Sequence, residues 1–481
     1  MSLFLPPREM NPTHRGYCFI LTINLHFTVM KGQRIDKSTL MFDNTFLWNL
    51  IAPLLIEVLL AVTIGIADTV MVASVGEHAV SGVSLVDAVS NLFIFLLQAF
   101  ASGGAVVTSQ YLGKREPDNA SFAAKQLMYL SLLFSVAITA LLLLFREPLV
   151  SLVYGSIEPD VRSSAMDYYL PIVLSYPFFA LFSNCTALFR SMGKSRITMY
   201  VSLVMNIINI SGNAFCIYIL HLGAAGAGIA SLFSRIAGVL FLFPRLLNKS
   251  EAIHIEKPLK PELSLSMLYR ILRIALPSGI ENSIFHFGKI LVASTVASFG
   301  TISIAASAVV NSLGMFANIP GNAISQASVT VIGQCCGARE YGQAAYYGKK
   351  LLLIAHIVTG VTSLIMFISC PFLIGLYQLS PGAFSLSLLI LRLHVVQLVL
   401  FWPEGFIITS FLRAAGDVKY PMCVSIASMW LFRVLLSKVL GVYFGFGLLG
   451  VFWGMYIDWY CRCIFYIHRF AKGKWKKMTV V

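Results

Sequence analysis

PLLIEVLLAVTIGIADTVMVAS, residues 53 to 74, is a hydrophobic run long enough to cross a bilayer, yet it carries two acids, Glu57 and Asp68. A carboxylate inside a membrane helix is costly to keep and is read first as part of an ion or proton path. The two acids are 11 residues apart. At about 100° per residue that separation is three turns plus roughly 20°, so both project from one helical face. The competing reading is a neutralised, hydrogen-bonded packing group, and the rest of the chain decides between them.

The chain has 481 residues, 58% of them hydrophobic and only 12% charged, with a mean hydropathy of +0.80. A soluble domain has no way to hide that much apolar surface, so the composition indicates an all-α polytopic membrane protein. The net charge of +14 does not point to nucleic acid, because the basic residues lie between apolar spans rather than in a patch interleaved with aromatics. The nine cysteines form no CxxC or Cys/His metal spacing and read as small buried thiols, and no metal or cofactor is implied.

Twelve spans of about 20 apolar residues can be drawn, at roughly 47–75, 79–108, 126–145, 165–189, 197–220, 226–247, 271–299, 303–333, 351–377, 385–411, 420–444 and 447–469. Alternate connections hold 22 Lys and Arg on one side, against Arg146 and Arg162 on the other. The positive-inside rule then places both termini in the cytoplasm. The longest polar connection falls between spans six and seven. The expected organisation is an N-terminal extension (1–45), an N-lobe (46–246), a cytoplasmic linker (247–270), a C-lobe (271–470) and a basic tail (471–481). Within the extension, the apolar run from Tyr17 to Met30 is broken by Asn24 and His26 and is too short to span. Residues 1–29 are therefore read as a dispensable or wrongly assigned start.

The halves are copies. Adding 224 to each position aligns Pro53 with Pro277, Glu57 with Glu281, Gly76 with Gly300, Gln110 with Gln334, Gly113 with Gly337 and Arg115 with Arg339. Further on the offset is 223, and LFRSMGK (188–194) meets FLRAAGD (411–417). Apolar coincidences are cheap in such a chain, so the polar and glycine matches carry the weight. Because six is even, two six-helix lobes in tandem share one topology and are related by an axis along the membrane normal.

Polar residues inside the spans fall on faces. Asp87, Asn91 and Gln98 form one stripe in helix two; Asn311, Asn318, Asn322 and Gln326 form its copy in helix eight; Asn206, Asn209 and Asn213 form a third in helix five. Lipid cannot satisfy amides, so these stripes face the bundle interior or a water-filled cavity.

The PLLIE…ADTVMVASVG and YLGKRE pattern, the LFRSMGKSR and FLRAAGDVKYPM turns, NIINISGN followed by GAAGAGIAS, and the ending GVFWGMYIDW…GKWKK together resemble MATE (multidrug and toxic compound extrusion) transporters of the bacterial, NorM-like kind, over residues 47 to 477. The resemblance implies a V-shaped pair of lobes around a central cavity, exporting amphipathic organic cations in exchange for Na⁺ or H⁺ from the bacterial inner membrane, with a monomer as the working expectation. It also implies an N-lobe cation site at Asp68, Asn209, Asn213 and Ser231, lined by Asn184. The cavity and substrate candidates are Glu57, Asp87, Asn91, Gln98, Glu281, Asn282, Asn311, Asn322 and Glu404. Three positions depart from the family pattern. Asn213 stands where many members have Asp; Phe285 stands where the NorM branch has a helix-seven Glu; Trp402 stands near that branch's helix-ten Asp.

The chemistry does not depend on the resemblance. A deprotonated Asp68 among amide and hydroxyl oxygens offers a hard oxygen cage suited to Na⁺, and the same carboxylate can carry a proton instead. Lys289, eight residues from Glu281, is a possible counter-ion for it, and Asp458 and Arg462 are spaced for an i,i+4 ion pair. A lipid-linked saccharide flippase is the alternative transporter reading; it calls for a cationic cavity, whereas this chain concentrates carboxylates and amides on the cavity faces. DDxxD, HExxH and GxSxG are all missing from the sequence, which is read as that of a non-enzyme.

Overall fold

The computed structural model describes residues 39–148, 158–256, 262–478 and 480–481. The proposed dispensable start lies outside them. The described chain from Met41 onward forms one compact unit. Twelve helical rods follow one another in it. They are α1 (Asn44–Ala73), α2 (Glu77–Gly113), α3 (Pro117–Leu144), α4 in two pieces (Pro159–Leu174 and Tyr176–Ser191), α5 (Ser195–Ala214, continued as a π-helix over Phe215–Ile219) and α6 (Gly223–Leu246), then α7 (Leu265–Ala297), α8 (Thr301–Gly337), α9 (Tyr341–Gly375), α10 (Pro381–Ala414), α11 (Lys419–Ser428, continued through π-helical Met429–Leu436 and Val439–Tyr443) and α12 (Gly447–Ala471).

Nine of these rods are long and apolar enough to cross a membrane, and ten if the two pieces of α4 form one span. The other two, α7 and α12, are diluted by polar groups: Glu281, Asn282, His286 and Lys289 in α7, Asp458 and Arg462 in α12. The bend in α4 is 46° and was not foreseen from the sequence. Its cause is Pro177, which lacks the N–H that would bond the Val173 carbonyl. That carbonyl instead accepts the Thr139 hydroxyl, 3.1 Å away.

The ends of the rods show the repeat in turn chemistry. Arg115 and Arg339 take left-handed φ of 62° and 60°, and the next amides, of Glu116 and Glu340, reach back to the Tyr111 and Cys335 carbonyls at 3.0 and 2.9 Å. This is a Schellman closure, used twice. A second pair uses Gly193 (φ 76°) and Gly416 (φ 92°) in the same way. Helix starts are capped by Asp43, Ser264 and Ser380, whose side chains accept from the amides of Phe46, Met267 and Ala383.

Packing repeats too. In the first lobe α1 meets α5, α2 meets α4, and α6 meets α4 and α5; in the second α7 meets α11, α8 meets α10, and α12 meets α10 and α11. The lobes join through α2 against α7, α8 against α1, and α2 against α8. Where α2 and α8 meet, a side chain on Gly113 would overlap the Gln334 backbone, and one on Gly337 would overlap the Gln110 backbone. Only glycine permits that approach. The C-terminal segment is tied down as well: Trp475 is fully buried against Phe411 and Phe470, and Val480 covers Gly416.

Candidate functional site

The two lobes share one buried ion pair at equivalent positions. Arg190, at the end of α4, donates to Glu57 of α1 at 2.7 Å, and Arg413, at the end of α10, donates to Glu281 of α7 at 2.6 Å. Thr198 and Ser202 also donate to Glu57, at 2.8 and 3.2 Å. Glu57 and Glu281, expected on the cavity faces, are 7% and 6% exposed and already charge-compensated. Lys289 is not the partner of Glu281. The counter-ion comes from a helix 132 positions away, a relation that single-helix geometry does not reveal.

Asp68 is in a different setting. It is half-buried on α1 and accepts a hydrogen bond from Asn213 of α5. The chain of contacts continues from Asn213 to Asn209 at 3.5 Å and from Asn209 to Ser231 of α6 at 3.2 Å. Four sequence candidates are thus brought together by one α1–α5–α6 contact. Asn213 Oδ1 is buried with no hydrogen-bond partner. An unsatisfied acceptor on the residue that holds a carboxylate is what a cation would complete. Asn184 stays apart: it is fully buried, and its amide contacts the Met128 sulfur at 3.8 Å.

Asp87 joins the cluster from α2. It accepts from Tyr168 of α4 at 3.0 Å and acts electrostatically on Asp68. Arg235 of α6 acts on both acids, stacks over Phe179 at 5.1 Å and donates to Ser175, at the α4 bend, at 2.5 Å. The sequence reading passed over Arg235 and Tyr168. A lone arginine inside an apolar span was the available signal for the first; an ordinary tyrosine gave none for the second. Beside the Glu57–Arg190 pair, the N-lobe interior therefore holds two acids and one arginine.

The other candidates are dispersed. Asn91, Gln98, Asn311 and Asn322 are exposed along α2 and α8, with Asn311 donating to Ser307 at 3.2 Å, and Asn282 is half-buried. Glu404 is 3% exposed and paired with His356 at 2.7 Å. Trp402 fills the space over Gly321 and stacks on Phe406 at 4.7 Å. Asp458 pairs with Arg462 at 2.8 Å, as its spacing anticipated, and also with Arg433 at 3.2 Å.

The MatE family model matches residues 53–215 and again residues 277–439, two segments set apart by the repeat offset itself. Among curated relatives, the uncharacterized transporter YisQ of Bacillus subtilis (strain 168) is 29% identical over 456 residues, covering 92% of this chain and 98% of its own. A probable multidrug resistance protein NorM of Thermotoga maritima is 26% identical, covering 90% and 93%. A multidrug export protein MepA of Staphylococcus haemolyticus is 24% identical, covering 84% and 88%. A solved multidrug resistance MATE family transporter in an outward-facing conformation superposes with a TM-score of 0.82 at 20% identity, over 89% of this chain and 94% of that one. At that identity it shows the fold: a tandem pair of six-helix lobes.

Proposed function

The chain belongs to the MatE family, and on that premise we propose that it is a cation-coupled antiporter that exports amphipathic organic cations and drugs by alternating access. The multidrug names of the NorM and MepA relatives support the cargo class. The observation that carries the coupling is the Asp68 constellation, a carboxylate held by Asn213 with the buried Asn213 oxygen left open to a cation. The coupling ion is Na⁺ or H⁺. In either case, loading changes the charge at Asp68 in a low-dielectric interior, a change large enough to bias an equilibrium of a few kcal/mol.

With the basic connections in the cytoplasm, as the positive-inside rule directs, the cytoplasmic side is the one on which Gln110, Gln334, Gly113 and Gly337 interlock the lobes. Both termini are then cytoplasmic, in the inner membrane of a bacterium, and the protein works as a monomer. The test is efflux of a cationic dye from vesicles with imposed Na⁺ or H⁺ gradients. Acceleration by one of them is expected, and transport indifferent to both removes the antiport reading. A lipid-linked saccharide flippase remains the second reading, because three cations gather around Phe285 in the C-lobe against the one carboxylate of Asp458.

A further inference from the structure

The repeat places Arg433 in the C-lobe where Asn209 stands in the N-lobe, 224 positions apart, just as the π-helical ends Phe215–Ile219 and Val439–Tyr443 are. The same offset puts Val292 opposite Asp68. The acid of the first lobe's site is therefore not copied, and a cation stands where the first lobe has an amide. Around the ring of Phe285 gather three cations: Lys289 at 5.2 Å, Arg433 at 5.1 Å and Arg462 at 5.4 Å from its centroid. One carboxylate, Asp458, faces them, fully buried. Arg462 saturates itself, donating to Asp458 at 2.8 Å and to Ser428 and Ser425 at 3.1 and 3.2 Å. Arg433 does not. It is 7% exposed, and although Nε lies 3.2 Å from Asp458 Oδ2, neither atom makes a hydrogen bond. Lys289 lies at the protein surface on α7, within electrostatic reach of Arg433, and has no carboxylate partner among the described residues.

Uncompensated positive charge inside a membrane lobe is costly unless an anion neutralises it. A guanidinium with an unbonded donor and an ammonium over the same ring match an oxyanion, and that aromatic ring matches a flat apolar body. We propose that the C-lobe holds a binding site for an organic carboxylate, with Lys289 and Arg433 as its two charged contacts and Phe285 as its platform. This rests on the export reading above and narrows it: cargo presents a carboxylate to the C-lobe, so that an amphipathic organic cation of this kind is a zwitterion.

The test is equilibrium binding to the purified full chain in detergent, using 1-naphthoate, its uncharged methyl ester and inorganic pyrophosphate as probes. Naphthoate is expected to bind at least about tenfold more tightly than the ester, the equivalent of one charge-assisted hydrogen bond. Lys289→Gln removes that preference and leaves ester binding unchanged; Arg433→Lys weakens naphthoate while retaining folding. Equal binding of acid and ester overturns the proposal, as does a Lys289→Gln protein with the wild-type preference. Pyrophosphate binding more tightly than naphthoate also overturns it, and favours a lipid pyrophosphate. Binding is read without any gradient, so failed coupling in vesicles leaves this result standing, and absent naphthoate binding leaves the antiport reading standing.

Discussion

Gln110 and Gln334, related by the repeat, each donate a side-chain amide at 2.7 Å to a carbonyl of the opposite lobe, Gln110 to Ala414 and Gln334 to Ser191. The two acceptors occupy the same place in their own lobes, at the ends of α10 and α4. Such reciprocity is the mark of a twofold contact, and it ties the lobes together at the end that carries the basic connections.

Replacing both glutamines with Ala leaves two backbone carbonyls without their partners, at about 1–3 kcal/mol for each buried one. The double variant Gln110→Ala/Gln334→Ala is expected to populate the state open at that end. Cys336, 9% exposed beside this contact, reports it directly. Its alkylation rate, followed by mass spectrometry of its peptide, should rise several-fold. An unchanged rate would mean that the glutamines do not hold the gate.

Gly337 allows no side chain where it meets the Gln110 backbone. Gly337→Ala is therefore expected to reproduce the opening through sterics alone, with the Gln334 hydrogen bond partner still present in sequence. The same alkylation assay reads it, and protection equal to wild type counts against the close approach.

The Glu57–Arg190 and Glu281–Arg413 pairs predict a non-additive pattern. Removing Arg190 alone strands a buried carboxylate and should cost about 3–5 kcal/mol, whereas replacing both members with apolar residues should cost much less. Thermal unfolding of Arg190→Leu, Glu57→Leu and the double variant checks this, and a double variant as unstable as the sum of the singles contradicts it. The parallel set in the C-lobe should behave alike.

Gly321 lies under the Trp402 ring. Gly321→Ala overpacks that contact and is expected to destabilise by about 1–3 kcal/mol. Trp402→Leu in the same chain should restore most of the loss, and a melting series without that rescue speaks against the contact.

The fold was legible because what repeats in the sequence is what the structure cannot vary. Gly113 and Gly337 recur since a Cβ has no room at either place, and Gln110 and Gln334 recur since each closes the other lobe. The same matches contained an unused clue: Glu57 and Arg190 both recur, which is what two partners would do, yet their pairing was not drawn from the alignment. Periodicity relates Glu281 to Lys289 on its own helix, whereas its partner Arg413 arrives from α10. In the site, Asp68, Asn209 and Asn213 stood out as polar residues in apolar spans, and Ser231 came from the family resemblance alone. Arg235 stood out equally and was passed over, and Tyr168 gave no signal, because a tyrosine in a span is ordinary until its hydroxyl is found on Asp87. The α4 bend was missed although Pro171 and Pro177 both stand within that span.

Under the proposed antiport, Asp68 is the group whose charge couples ion entry to cargo exit. The direct measurement is dye transport in proteoliposomes with and without an imposed Na⁺ or H⁺ gradient, comparing wild type with Asp68→Asn. The amide preserves size and can still bond Asn213, so folding is retained while the charge is lost. Gradient stimulation is expected to vanish in the variant while dye binding persists; a variant that keeps the full stimulation of wild type contradicts the claim.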